Sequence, residues 1–182
     1  MTRDRSLLKA LIAPESVALV GASASAAKLT ARPLAFLLRH GFAGRIHPVN
    51  PTRDEVMGLR AWGSVAVIPE RVDHAYILLD TDAAIDSLAE CAAAGVRVVS
   101  MLADGFAEAG AEGRERQARL TGIAREAGIL LIGPNSTGVV ATRSGFACTT
   151  NAAFRAERLG VGRIAVLSQS GNVIGTLFSR GQ

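Results

Sequence analysis

The hydrophobic positions of this chain fall into short, dense runs. Residues 16–20, 45–49, 75–79, 96–102 and 129–132 are each a few residues long, rich in branched aliphatic side chains and mostly apolar at consecutive positions. A strand buried on both faces has this pattern, whereas a half-exposed strand alternates. Between most of the runs the apolar spacing changes to three and four. In 82–94, Ile85, Leu88, Ala89 and Ala92 share one stripe, and Gly95 follows as the glycine that commonly closes a helix. Residues 33–40 and 112–127 read as helices as well. Strands alternating with helices predict an α/β fold, a Rossmann-like doubly wound parallel sheet.

The pattern is less regular elsewhere. Residues 51–73 hold the lone Trp62 and Pro69, with a short helix or turn expected around 54–57. After Gly133-Pro134-Asn135, residues 137–150 alternate Gly, Thr and Ser with apolar positions and read as extended strands or linker. Residues 163–167 (Arg-Ile-Ala-Val-Leu) predict a fresh strand that enters Ser168-Gln169-Ser170-Gly171 and a helix cut short at Gln182. The organisation expected for 182 residues is therefore one α/β domain over 1–150 and the opening of a second, flavodoxin-like α/β domain over 151–182.

Composition narrows the function classes. The net charge is +4, but the basic residues are scattered and aromatic side chains make up only 4%, so a solvated basic surface is expected rather than a nucleic-acid site. No window approaches the roughly 20 apolar residues of a membrane span. The first apolar stretch is broken by Lys9 and meets Pro14 and Glu15, unlike a secretory signal, which makes a cytoplasmic location the expectation. Cys91 and Cys148 lie far apart without a CxxC and read as core residues. His40, His47 and His74 form no HxxxH or HExxH pair, so structural or surface roles and no metal site are expected.

Candidate chemistry sits where runs meet small residues. Val20-Gly21-Ala22-Ser23 follows the first strand, allowing close backbone approach, and the amides opening the next helix suit phosphate. The turn is neither GxGxxG nor GxxxxGK[ST], and Asn50-Pro51 stands where a nicotinamide site would carry an acid after the second strand. Lys28 is one of two lysines among 20 basic residues, in keeping with a point charge near phosphate, or with an exposed loop lysine. Asn135 after the fifth strand offers a donor and an acceptor, or is an ordinary turn residue. Ser168 to Gly171 opens a helix and would face an anion, or simply caps it.

Taken in order, SVALVGAS at 16–23, HPVNP at 47–51, MLADGFAEAG at 101–110, LIGPNSTGVV at 131–140 and VLSQSGN at 166–172 resemble the CoA-binding half of NDP-forming acyl-CoA synthetases. That family includes ADP-forming acetyl-CoA synthetase and the succinyl-CoA synthetase alpha subunit. The resemblance implies coenzyme A as ligand, with Gly21, Ala22, Ser23 and Lys28 along its phosphates and ribose and Asn50 and Pro51 flanking adenosine. It puts Leu102, Ala103 and Asp104 on the pantetheine path, and Asn135 beside the thiol as the catalytic group. It further implies a carboxylic acid activated as acyl phosphate, and a phosphohistidine received by Ser168, Gln169, Ser170 and Gly171. An ATP-grasp partner would use ATP/ADP and Mg, and an oligomer is compatible. The sequence departs from the family at Leu79-Asp80, where a carboxylate faces the cleft in place of Val-Pro-Ala, and at Thr52, where a lysine is common. The phosphohistidine and ATP-grasp parts would lie beyond Gln182, so the chain reads as a fragment that binds CoA without completing ligation. A CoA-sensing module fused to a protein acetyltransferase and an NAD(P)-dependent oxidoreductase are the alternatives.

Overall fold

The computed structural model describes residues 2–181, with side chains from Ser6 onward. Helix α1 (Thr2–Ile12) precedes strand β1 (Ser16–Val20), and a short 3-10 turn leads into α2 (Arg32–Arg39) and β2 (Arg45–Val49). A small hairpin, β3 (Glu55–Val56) and β4 (Leu59–Arg60), then leads to β5 (His74–Ile77), α3 (Thr81–Ala93) and β6 (Val98–Met101). Helix α4 (Ala111–Ala127), β7 (Leu130–Ile132), a second hairpin of β8 (Gly138–Ala141) and β9 (Phe146–Thr149), and α5 (Gly171–Arg180) complete the order.

The five dense runs form one sheet in the order β2-β1-β5-β6-β7, every neighbouring pair parallel. All residues of β1, β5 and β6 are buried, the polar Ser16, His74 and Ser100 included, as strands covered on both faces require. One face is covered by α3 and α4, where Ile85, Leu88, Cys91, Leu120 and Ala124 meet Ala18, Ala75, Ile77 and Val99. The other face is covered by α2 and the β8-β9 hairpin, where Leu34, Leu37, Phe146 and Cys148 meet Val17, Leu19 and Tyr76. Arg32 Nη1 donates to Thr150 O at 2.8 Å and joins the start of α2 to the end of that hairpin.

Three expectations change. Of the short helix or turn expected around 54–57, the turn forms and the helix does not: Glu55 and Val56 are a strand of a hairpin, and Met57 and Gly58 both take positive φ (52° and 82°), the two-residue turn that matches strand twist. Residues 163–167 form no strand. A run of this kind is stable as a strand only with paired neighbours, none of the described residues pairs with it, and Ile164 and Leu167 are 89% and 101% exposed. Finally, α1 occupies a segment read only as lacking a signal sequence, and Ser144 Oγ donates to Ile12 O at 2.7 Å where the helix ends.

His74 is fully buried at the start of β5, its ring 5.3 Å from that of Phe146 and its Nε2 2.9 Å from Ser100 Oγ. Burial pushes its pKa down to about 4, against the weaker pull of the α1 backbone at Ala10 and Leu11. The unfolded chain, with the imidazole near 6.5, binds more protons in that window, so this contribution to stability is complete above pH 6.5 and is lost as pH falls toward 4. Denaturant titrations across that range are expected to show a slope that His74→Gln flattens; an unchanged slope would mean that other groups set it.

Candidate functional site

Because the central strands are all parallel, their carboxyl ends lie along one edge. The chain leaves β1 toward β2 on one side and leaves β5 toward β6 on the other, so β1 and β5 flank the switch point where open α/β sheets bind ligands. Gly21 closes β1 there with φ +86°, and its amide donates to Val49 O at 2.9 Å. A Cβ at this position would sit 2.6 Å from Leu79 Cδ2 and 3.1 Å from Leu78 O, so the turn lies pressed onto the end of β5.

The loop that follows is open. Ser23 Oγ accepts from Ser25 N at 3.1 Å and Lys28 N donates to Ser25 O at 2.9 Å. The amides of Ala24, Ala26 and Ala27 have no partner among the described residues. Lys28 is exposed at the entrance to the turn before α2 and caps nothing with its side chain. Ala22 is buried beneath the loop.

Asn50 is a clamp between loops. Its Nδ2 donates to Ala22 O at 3.1 Å, and its Oδ1 accepts from Thr52 N at 3.0 Å and Thr52 Oγ1 at 2.9 Å. The side chain is thereby used within the protein, leaving exposed Pro51 and the backbone to shape that end of the edge. Thr52, in the place of a common lysine, completes the clamp. Asp80 caps α3 by accepting from Ala83 N at 3.4 Å, which turns the carboxylate toward a helix N-terminus.

The ends of β6 and β7 are tied through main-chain atoms. Leu102 N donates to Ile77 O at 3.0 Å, and buried Ala103 accepts from Asn135 N at 2.8 Å. Asp104 O accepts from Thr81 Oγ1 at 2.9 Å. Ser136 N donates to Met101 O at 2.9 Å, and Tyr76 Oη donates to Ser136 O at 2.9 Å. Asn135 adopts φ +56° and is exposed, its side-chain amide without a partner among the described residues. Ser170 caps α5 by accepting from Val173 N at 3.4 Å, and Ser168 Oγ accepts from Ser170 N at 3.0 Å. Gln169 is exposed. Gly171 approaches the segment after Asn135 so closely that a Cβ there would lie 2.8 Å from Thr137 Cγ2.

The structure thus brings Gly21, Ala22, Ser23, Asn50, Leu79, Asp80, Leu102, Ala103, Asp104 and Asn135 onto one edge, with Ser168 to Gly171 beside it. Sequence reasoning missed Thr81, Tyr76 and Thr137, which hold this edge together; a lone threonine or tyrosine beside a strand carries no local signal for a partner distant in sequence. His40, His47 and His74 stand away from it, bonded to Phe154 O, paired with Glu70 and buried under α1 respectively. A cavity of about 230 Å³ lined by Val65, Ile68, Glu70 and Val72 lies at the opposite end of α3. Burial pushes the Cys91 thiol up to about 12 and raises that of Cys148, so both stay protonated. Among the described residues no group of three or more His, Cys, Asp or Glu is placed to hold a metal, and no helix is long and apolar enough to cross a membrane.

A family model described as a CoA binding domain matches residues 15–142, the whole of the sheet and its loops. The chain belongs to this CoA-binding family. The chain is 35% identical over 171 residues to ADP-forming acetate–CoA ligase II of Archaeoglobus fulgidus, covering 94% of this chain and 25% of that protein. It is 36% identical over 168 residues to the alpha subunit of ADP-forming acetate–CoA ligase I of Pyrococcus furiosus, covering 90% and 36%. Among solved structures, the apo acetyl-coenzyme A synthetase 1 of Ca. Korarchaeum cryptofilum superposes with a TM-score of 0.87 at 32% identity, covering 95% of this chain and 36% of that one. The chain therefore spans about a quarter to a third of the length of these relatives.

Proposed function

We propose that this domain seats coenzyme A along the carboxyl edge of its sheet and serves an NDP-forming acid–CoA ligase. The observation that carries this reading is the Gly21 turn: a side-chain-free bend at the switch point, followed by three unpartnered amides and an exposed lysine. Amides and lysine together suit phosphate, and the glycine lets the turn pack onto the end of β5 so that the amides after it stand open. Gly21, Ala22, Ser23 and Lys28 face the CoA phosphates, and the Asn50-Pro51 corner shapes the adenosine end. The pantetheine arm runs past Leu79, Asp80, Leu102, Ala103 and Asp104, and the cap on α3 keeps the Asp80 carboxylate from opposing the phosphates. From β2 to β7 is four strand spacings, about 19 Å, so the ligand lies extended.

At the far end Asn135 meets the thiol and the acyl group. Its free amide can donate to the acyl oxygen as charge develops there when sulfur attacks and the acyl–phosphate bond breaks. The leaving group of that attack is inorganic phosphate; Ser168 to Gly171, capping α5, hold the phosphohistidine, supplied by another part of the enzyme, that gives its phosphoryl group to the carboxylic acid beforehand to make the acyl phosphate, since an anion is stabilised at a helix N-terminus. An ATP-grasp partner using ATP/ADP and Mg completes the cycle. Residues 1–150 form the CoA-binding unit and 151–182 begin the element that carries the phosphoryl contact.

Calorimetric titration tests the seat directly. Heat is expected with CoA and none with NAD, and heat with NAD alone would sink the reading. Lys28→Ala is expected to weaken CoA more than dephospho-CoA, as a lysine on the 3'-phosphate requires; equal losses would move that lysine elsewhere on the ligand.

A further inference from the structure

Helix α5 is held to the body by few contacts. Ile174 and Phe178 pack on Phe36, Ala147 and Phe154, with the Phe154 and Phe178 rings 4.3 Å apart. Asn151 Nδ2 donates to Gly171 O at 2.8 Å. The preceding residues 161–167 are exposed throughout. Yet the first residue of this lightly held helix rests against Thr137, two residues beyond Asn135.

A chain of hydrogen bonds joins the same places. Asn151 N donates to Thr149 Oγ1 at 3.1 Å, Thr149 Oγ1 donates to Thr137 O at 2.7 Å, and Thr150 N donates to Thr137 O at 2.9 Å. Thr137 is thus gripped on its carbonyl side by the end of β9 and on its side-chain face by Gly171. The loop it terminates carries Asn135 at positive φ, a conformation that asparagine tolerates and that the packing around the loop holds in place. Among the described residues the Thr137 hydroxyl makes no hydrogen bond, so its shape is what Gly171 meets.

We infer that Thr137 is a positioning residue: the docking of α5 against it fixes the loop that presents Asn135, and so tightens the hold on the pantetheine end of CoA. The inference rests on the CoA reading above. By linkage, CoA must stabilise the docked helix to the same degree that the docked helix stabilises CoA. The adenosine end, over β1 and β2 on the far side of the switch point, does not feel the helix.

The test uses the full 182-residue chain with three probes: CoA, 4'-phosphopantetheine and adenosine 3',5'-bisphosphate. Phe178→Ala, which removes the main anchor of α5, and Thr137→Ala, which removes the contact, are each expected to weaken CoA and phosphopantetheine about fivefold, a modest coupling, and to leave the bisphosphate unchanged. Thr137→Val keeps the methyl and is expected to bind as the wild type does. Hydrogen exchange of the α5 amides is expected to slow when CoA is added. Wild-type affinity in Phe178→Ala, equal weakening of all three probes, Thr137→Val as weak as Thr137→Ala, or α5 exchange indifferent to bound CoA would each overturn the inference. A wild-type chain that binds none of the probes would instead overturn the CoA reading beneath it.

Discussion

Gly21→Ala is expected to abolish measurable CoA binding at concentrations that saturate the wild type, while the chain still folds. The added methyl has nowhere to go: Leu79 Cδ2 stands at 2.6 Å and Leu78 O at 3.1 Å, and the backbone sits at φ +86°, where an L-residue is strained. Strain of this kind costs about 1–3 kcal/mol. The sheet can survive that loss because β1 is buried at all five positions and paired on both sides. The turn cannot survive unaltered, since relief requires moving either the loop carrying the open amides or the end of β5, and both border the proposed phosphate position. Calorimetry with CoA and thermal unfolding of the same sample separate the two effects. A folded Gly21→Ala chain with wild-type CoA affinity would place the ligand away from the switch point.

Phe146→Ala is expected to give the largest loss of stability, about 3–5 kcal/mol by the usual cost of truncating a buried phenylalanine. Phe146 is 0% exposed, packs its ring 5.3 Å from both Phe42 and His74, and is the side chain by which β9 is driven into the α2 face of the sheet. Denaturant unfolding monitored by circular dichroism measures the change. A loss below about 1 kcal/mol would show that the hairpin collapses into the gap and that the core there is plastic. Because Phe146 and His74 touch, the double variant with His74→Gln is not expected to be additive.

The parallel sheet was legible in the sequence because strands buried on two faces leave dense apolar runs, and β1, β5 and β6 are such strands. The edge loops were legible for a related reason: Gly21, Gly133 and Asn135 adopt backbone conformations that few residues tolerate, so their identities mark the bends. The hairpin at 55–60 was not legible, since Met57 at positive φ is an unusual choice and its local sequence points as readily to a helical turn. The segment 163–167 failed differently. Its sequence has the composition of a core strand, but a strand is a property of a pair, and no neighbour among the described residues accepts it. The roles of Asn50 and Asp80 were half visible: both residues stand at the edge, but only the geometry shows that one is spent on Ala22 and Thr52 and that the other is turned toward Ala83.

The ties among the ends of β5, β6 and β7 run mainly between backbone atoms: Ile77 to Leu102, Met101 to Ser136, and Ala103 to Asn135. Bonds of that sort are indifferent to which side chains the joined residues carry. Outward-facing positions such as Ala24, Ala26, Arg53 and Asp104 are accordingly free to drift without loosening the frame. A library randomised there would retain its architecture in most members while varying the outer surface of this edge, which makes it a durable platform for changing what the proposed seat accepts.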